Sequence, residues 1–220
     1  MAGKDKQHRK LSFGKIEFHD LQSFVKIEEL LDPSAFDEWF HFDYTLDEAD
    51  EQFLTELIEE NWRYVDSFSE KELKAQIVIP LVNRVKFFRN GVRGWYKRPL
   101  KGEINNVLLQ GNSDYMVASG IETPEKPYFF IQEYKKELGD RHPKKPLLAE
   151  MMVALEQNQE TRMWGAFIIG RTWNFVILKK LALHQYTYHR SHDLSVLKLD
   201  DLKTIYVNLQ AVKARATASK

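Results

Sequence analysis

The chain has 220 residues, 43% of them apolar and 29% charged, which fits one ordinary globular domain with room for an appendage and argues against a wholly disordered chain. No apolar run approaches the ~20 residues a membrane helix needs, and Met1 to Lys10 is polar and charged, unlike an export signal, so no membrane partner is expected and a cytoplasmic location is compatible. With no cysteine, disulfides, zinc-thiolate sites, cysteine-held iron–sulfur clusters and cysteine nucleophiles are excluded, and any metal must use oxygen or imidazole ligands.

The formal charge sums to zero by cancellation. Residues 1–66 hold 7 Lys and Arg against 17 Asp and Glu, a net of −10, and residues 67–220 hold 25 against 15, a net of +10. The expected organisation is an acidic N-terminal extension over residues 1–66 with one helix, followed by a basic domain over residues 67–220. A basic module suits polyanionic partners. The acidic piece suits a solvated appendage, a protein-partner surface or an internal cover for the basic one.

In chain order, Leu11 to Phe18 alternates like a short strand. Thr45 with Glu48 three residues on reads as a helix start, and Leu46, Ala49, Phe53, Leu57 and Ile58 extend it over residues 46–65. Ser69 and Glu72 cap a second helix whose apolar set, Leu73, Ile77, Leu81 and Val85, recurs every four residues, with Pro80 predicted to kink it. Lys86 to Lys101 reads as a loop and a first strand. Val107–Val117 and Tyr128–Lys135 read as two further strands, joined by a loop carrying Gly120, Pro124 and Pro127. A helix over Pro146–Gln157, strands at Met163–Gly170, Thr172–Lys179 and Leu183–His189, and a last helix over Asp200–Ala216 complete an α/β pattern.

Glu133 and Lys135 are two apart in a strand and share a face, with Phe129 and Ile131 before them. Two charges closing an apolar strand must pair, meet a ligand or emerge at the sheet edge, because burying them alone is costly. If the preceding strand is its neighbour, Asp114 approaches Glu133 and the two carboxylates form an oxygen site for a hard cation such as Mg²⁺. Glu72-Leu73-Lys74 and Asp201-Leu202-Lys203 repeat the spacing, but in predicted amphipathic helices, where such charges are expected on the wet face.

The order of helix, three strands with an aspartate on the second and Glu-x-Lys on the third, then helix and strand, resembles the PD-(D/E)xK nuclease superfamily. Ser69-Glu70-Lys71-Glu72-Leu73-Lys74 through Ile77-Val78-Ile79-Pro80-Leu81, Ala149 to Ala154 and Gly165 to Leu178 resemble its branch near the N-terminal nuclease domain of type I restriction subunits. The resemblance spans residues 69–180. It implies a restriction-endonuclease-like core of mixed sheet flanked by helices, and a Mg²⁺- or Mn²⁺-dependent endonuclease acting on DNA. On it, Asp114, Glu133 and the main-chain carbonyl of Tyr134 bind the metal, Lys135 orients the attacking water, and Glu70 reaches in from the first helix. Ser113 stands where the family name has proline. Glu150, where related branches often place glutamine, is a further ligand, a partner of a ligand or a wet-face residue, and Glu72 is a substitute for Glu70.

Lys86 to Lys101 interleaves basic residues with Phe87, Phe88, Trp95 and Tyr96, as expected of a backbone-tracking groove with stacking platforms, which makes Arg89, Arg93, Lys97, Arg98 and Lys101 candidate nucleic-acid contacts. A hairpin with its aromatics packed inward fits the same text. Lys144 and Lys145 are a smaller phosphate-binding candidate. His184, His189 and His192 have spacings that do not converge on one strand face and are read as ordinary residues. No phosphate loop, dinucleotide fingerprint or Gly-x-Ser-x-Gly elbow occurs. Two other readings stay open: a non-catalytic nucleic-acid or protein-binding module on a nuclease-like fold, and an acidic-surfaced interaction protein in which Glu133 and Lys135 form a salt bridge. The acidic segment is the expected seat of a protein partner.

Overall fold

The computed structural model describes residues 9–135 and 142–218. Its elements are β1 (Arg9–Ser12), α1 (Phe18–Gln22), β2 (Lys26–Glu29), α2 (Asp37–Phe40), α3 (Glu48–Asn61), α4 (Glu70–Leu73), α5 (Ile79–Val85), β3 (Val92–Ile104), β4 (Val107–Ser119), β5 (Glu125–Lys135), α6 (Lys144–Asn158), β6 (Arg162–Ile169), β7 (Thr172–Ala182), β8 (Gln185–Arg190), β9 (Leu194–Ser195) and α7 (Leu199–Ala218). The result is a mixed α/β architecture, a curled sheet flanked by helices. The strands run β1-β4-β5-β6-β7-β8-β2, with β3 added on β4 and β9 on β7. The pairs β1–β4, β5–β6 and β2–β8 are parallel and the others antiparallel.

Several local readings change in three dimensions. The alternation from Leu11 ends at Ser12, where the chain turns through a 3-10 segment (Phe13–Lys15) that buries Phe13 and Ile16, three apart, in one core. Helix α3 starts later than Thr45 because the Asp47 carboxylate accepts the Asp50 amide at 2.7 Å and takes over the cap. The second helix begins as read, with a reciprocal cap: Ser69 N donates to Glu72 Oε2 at 2.7 Å and Glu72 N to Ser69 Oγ at 3.3 Å. The Glu72 carboxylate is thereby committed to the cap.

Pro80 does not merely bend that helix. It has no N–H for the Gln76 carbonyl four residues back, and its ring crowds that carbonyl. The chain answers with a π-helical turn, Lys74–Val78, between α4 and α5. Asn61 Nδ2, at the end of α3, donates to the freed Gln76 carbonyl at 3.5 Å and to the Leu57 carbonyl at 2.9 Å.

The sheet separates two cores. One lies under α3, α5 and α7 and collects Leu54, Leu81, Tyr115, Phe130, Tyr134, Trp164, Phe175 and Leu209. The other lies under α6 and the N-terminal segment, with Phe13, Leu21, Ile27, Met116, Ile131, Leu148, Met152, Phe167 and Val176. Residues Leu147 to Leu155 of α6 are all buried, Glu150 among otherwise apolar side chains. Residues before 66 enter both cores. Trp39 is fully buried, stacks on Trp164 at 4.2 Å between centroids, and donates its indole N–H to the Asn208 carbonyl at 2.9 Å. Among the described residues no helix is long and apolar enough to cross a membrane.

Trp39→Ala is expected to destabilise the protein by about 3–5 kcal/mol through cavity formation and the orphaned Asn208 carbonyl. Urea denaturation monitored by circular dichroism measures this, and a loss under 1 kcal/mol, within the range of an ordinary surface substitution, would show that the N-terminal packing is dispensable.

Candidate active site

The register of β4 and β5 runs from Ser119↔Glu125 to Tyr115↔Gln132. Two irregularities interrupt it: between Ser119 and Ala118 the partner jumps from Glu125 to Tyr128, and between Ala118 and Val117 it jumps from Tyr128 to Phe130, which leaves Phe129 as an extra residue. Phe129 consequently joins the core under α3 and α7, while Ile131 stays in the core under α6. The expected shared face thus holds only from Ile131 onward.

Past Tyr115↔Gln132, the carboxylates take the place of ladder acceptors. Asp114 N donates to Glu133 Oε1 at 2.9 Å, and Tyr134 N donates to Asp114 Oδ2 at 3.3 Å. Asp114 and Glu133 are thus held together by main-chain donors, and both are buried. Across the other edge of β4, Tyr96 pairs with Tyr115 and Arg98 with Ser113, which puts Lys97 opposite Asp114. Lys97 has a left-handed backbone, φ 51°, and its ammonium contacts Asp114 Oδ1.

From the opposite side come the groups of α4 and the π turn. Lys74 Nζ lies 3.0 Å from Glu70 Oε1, 3.3 Å from Asp114 Oδ1 and 4.1 Å from the centre of the Tyr134 ring. Glu70 Oε2 lies 3.5 Å from Lys135 Nζ. Lys135, Glu70, Lys74, Asp114 and Lys97 form a chain of alternating charge, wettest at its lysine ends and driest at Asp114. The structure therefore brings together Asp114, Glu133, Tyr134, Glu70 and Lys135. It adds Lys74, which the helical pattern assigns to the wet face. The signal for Lys74 was present in its Glu70 partner four residues earlier and in Pro80.

Glu150 is not a wet-face residue. It is fully buried on α6, and its carboxylate meets that of Glu133. Gly165 on β6 lets α6 come this close, since a Cβ there would sit 2.7 Å from Met151 Sδ and 3.0 Å from the Ile131 carbonyl. With both carboxylates ionised neither Glu150 oxygen has a donor, so the contact is a hydrogen bond only when a proton lies between them. Burial first, then the charges of Glu133 and Asp114, push the Glu150 carboxyl well above the usual range. Burial and the charge of Asp114 raise Glu133 to about 8. The Asp114 hydrogen bond raises the Lys97 ammonium.

The basic candidates divide. Arg93 and Arg98 stack on Trp95, their Cζ atoms 4.4 and 5.4 Å from its ring centre, and Trp95 itself is packed inward. Arg89 precedes β3, and Lys101 lies farther along it, opposite Gln110. Lys144 and Lys145 are engaged by the acidic segment: Lys144 Nζ is 3.1 Å from Glu29 Oε2, and Lys145 pairs with Glu17. His189 and His192 lie around β8 and its exit, away from these carboxylates; among the described residues no three His, Asp or Glu side chains form a ready metal cage.

The groups gathered here are of the oxygen type that a hard cation prefers: the carboxylates of Asp114 and Glu133, which main-chain donors hold together, and that of Glu70 beside Lys74 and Lys135. At present the ammonium groups of Lys74 and Lys97 stand on Asp114 Oδ1. The chain matches no known protein family, and no curated protein is significantly similar to it.

The raised carboxyls have a sign that stability measurements detect. Folded, Glu133 keeps its proton to about 8, whereas unfolded it releases it near the ordinary carboxylate value, so between these limits the native state binds more protons and stability falls as pH rises. The melting temperature in EDTA is expected to drop steadily from about pH 5 to pH 8. Glu150→Gln, which offers Glu133 an amide donor and removes one charge, is expected to flatten that slope; an unchanged slope would mean the two carboxyls are not coupled.

Proposed function

We propose that this protein is a metal-dependent phosphodiesterase, a nuclease acting on DNA, built on a restriction-endonuclease-like core. The observation that carries the reading is the convergence of Asp114, Glu133, Glu70 and Lys135, from two strands and a helix, at the point where β4 and β5 part. The resemblance over residues 69–180 asks for those residues in one place.

Asp114, Glu133 and the Tyr134 carbonyl would hold Mg²⁺ or Mn²⁺, with Glu70 as a further oxygen donor. Such an ion supplies Lewis acidity and a bound water of lowered pKa. The residues of the chain do the rest. Lys135, 39% exposed on its side chain, presents an ammonium at the wet end of the charge chain, where it offsets charge developing on a phosphate. Lys74, 13% exposed, is held by Glu70, Asp114 and the Tyr134 ring, and keeps the buried end neutral. Lys97 is 65% exposed on its side chain and is free to exchange Asp114 for a substrate phosphate. Glu150 holds a proton against Glu133, which limits the negative charge of the buried pair.

A second reading, a non-catalytic nucleic-acid or protein-binding module, is favoured by one observation: Asp114 Oδ1 already carries two ammonium groups. The two readings part on cleavage. Supercoiled plasmid, linear duplex and single-stranded DNA incubated with Mn²⁺, Mg²⁺ or EDTA are expected to be cut only with metal, and the Glu133→Ala, Lys135→Ala double variant is expected to lose at least 100-fold in rate, on the order expected from removing a key electrostatic group. Millimolar Mn²⁺ is expected to raise the melting temperature of the parent and not of Asp114→Asn. A folded parent that retards DNA without cutting it favours the binding module.

A further inference from the structure

The loop that leads into β3 carries the most exposed aromatic ring of the basic segment. Phe88 is 72% exposed, and Ile121, in the loop after β4, is 83% exposed. The two loops are tied by Gly120 N donating to the Gly91 carbonyl at 3.1 Å, and together they line an open groove of about 310 Å³ with Arg89 and Arg93 on its walls. Phe88 and Ile121 thus form one exposed apolar patch beside two arginines.

The Arg93 guanidinium lies between two rings, its Cζ 4.8 Å from the centre of Phe88 and 4.4 Å from that of Trp95, and Arg98 continues the stack on Trp95 at 5.4 Å. This is a ladder of rings and guanidinium groups, buried at Trp95 and open at Phe88. Arg93 Nε is buried without a hydrogen-bond partner, so the guanidinium is placed by stacking on this side and keeps donor capacity. Arg89 also lines, with Lys213, a second open pocket next to this groove, and Lys213 Nζ is held there by donating to the Val85 carbonyl at 2.8 Å; burial and the charges of Arg89 and Lys86 lower its ammonium. An anion between them would relieve that repulsion.

We propose that Phe88 is the stacking platform for an unpaired nucleobase of single-stranded DNA, with Lys86, Arg89 and Lys213 holding the phosphate beside it. This rests on the proposed nuclease function for the nature of the polymer, and adds that the bound polymer has an unpaired stretch. A planar base completes the ladder on the open face of Phe88 and covers Ile121, while a base inside a duplex has no free face to offer. Val92, where the platform loop enters β3, pairs with Ser119, five residues along β4 from Asp114, which is about 17 Å at the strand rise. The strand would therefore be held a few nucleotides away from the carboxylates.

The test is fluorescence anisotropy of the full chain, in EDTA so that nothing is cut, against a labelled oligothymidylate and a labelled blunt duplex of the same length. Phe88→Ala, an exposed substitution checked for folding by its melting curve, is expected to weaken oligothymidylate binding about tenfold, in the range of one lost stacked base, and to leave duplex binding within about twofold. Phe88→Tyr is expected to bind like the parent. Lys86→Ala with Arg89→Ala is expected to weaken both ligands and to lower the salt dependence. The proposal is overturned if Phe88→Ala leaves oligothymidylate binding intact, if it weakens both ligands equally, or if the parent binds no single strand. Plasmid cleavage with Mn²⁺, run on the same variants, reports on the nuclease reading independently: cutting by a parent that ignores single strands removes the platform and keeps the nuclease.

Discussion

Where β4 and β5 part, two buried amides need acceptors, and the chain supplies them from side chains. Asp114 N is taken by Glu133 and Tyr134 N by Asp114. An unpaired buried amide costs on the order of 1–3 kcal/mol, so these carboxylates serve the fold before they serve any chemistry. Their burial sets the next requirement. Negative charge out of water must be neutralised where it stands, and it is met from three directions: Lys97 across β4, Lys74 from the π turn, and a proton shared by Glu133 and Glu150 beneath. The π turn exists because Pro80 leaves the Gln76 carbonyl without its helical donor. A backbone defect in one helix and a strand divergence in the sheet thus converge on one carboxylate.

The charge asymmetry of the chain resolves inside the fold. Acidic residues of the first segment pair with basic residues of the second at Glu17–Lys145, Glu29–Lys144, Glu38–Arg162, Glu51–Lys203 and Asp66–Arg171. Most of these are wet and contribute little each. The exception is Asp50, which is buried and accepts from Arg84 Nε at 2.8 Å, Tyr44 at 2.9 Å and Tyr206 at 3.0 Å. Burial opposes its ionisation, but these donors hold its carboxyl below the usual value, and it ties α3, α5 and α7 at one point. Lys144 and Lys145 are answered this way, whereas Lys86, Arg89, Lys97 and Arg98 stay exposed before and along β3.

Rigidity and freedom are distributed accordingly. The carboxylates are fixed by main-chain donors and buried on both faces. The lysines that contact them grade from Lys74, 13% exposed on its side chain, through Lys135 at 39%, to Lys97 at 65%. A site with fixed acceptors and increasingly free cations can exchange an internal ion pair for a phosphate without moving its backbone. In the proposed nuclease, and equally in a binding module, that gradient gives the polyanion a wet, cationic way in toward a dry acidic centre.

Much of this was legible from one-dimensional pattern. Period-two alternation and β-branched runs located β4 to β8, the Ser69 and Glu72 pair located the start of α4, and Glu133-x-Lys135 after an aspartate-bearing strand marked the candidate site, because these signals are local and depend on spacing alone. Other features were not legible. Strands β1, β2 and β9 span only four, four and two residues, and are held by partners from distant parts of the chain, which no local pattern encodes. Lys74 reads as a solvated helix residue until Pro80 shifts the turn and Asp114 arrives from 40 residues away. Phe129 leaves its expected face because a bulge adds one residue to β5. Glu150 could be a ligand, a partner or a surface charge until α6 is pressed onto Gly165. The sequence by itself determined which residues carry charge and which local elements they ride on; the tertiary structure alone decided which charges meet and which are dry, because burial and opposition across strands depend on contacts between residues far apart in the chain.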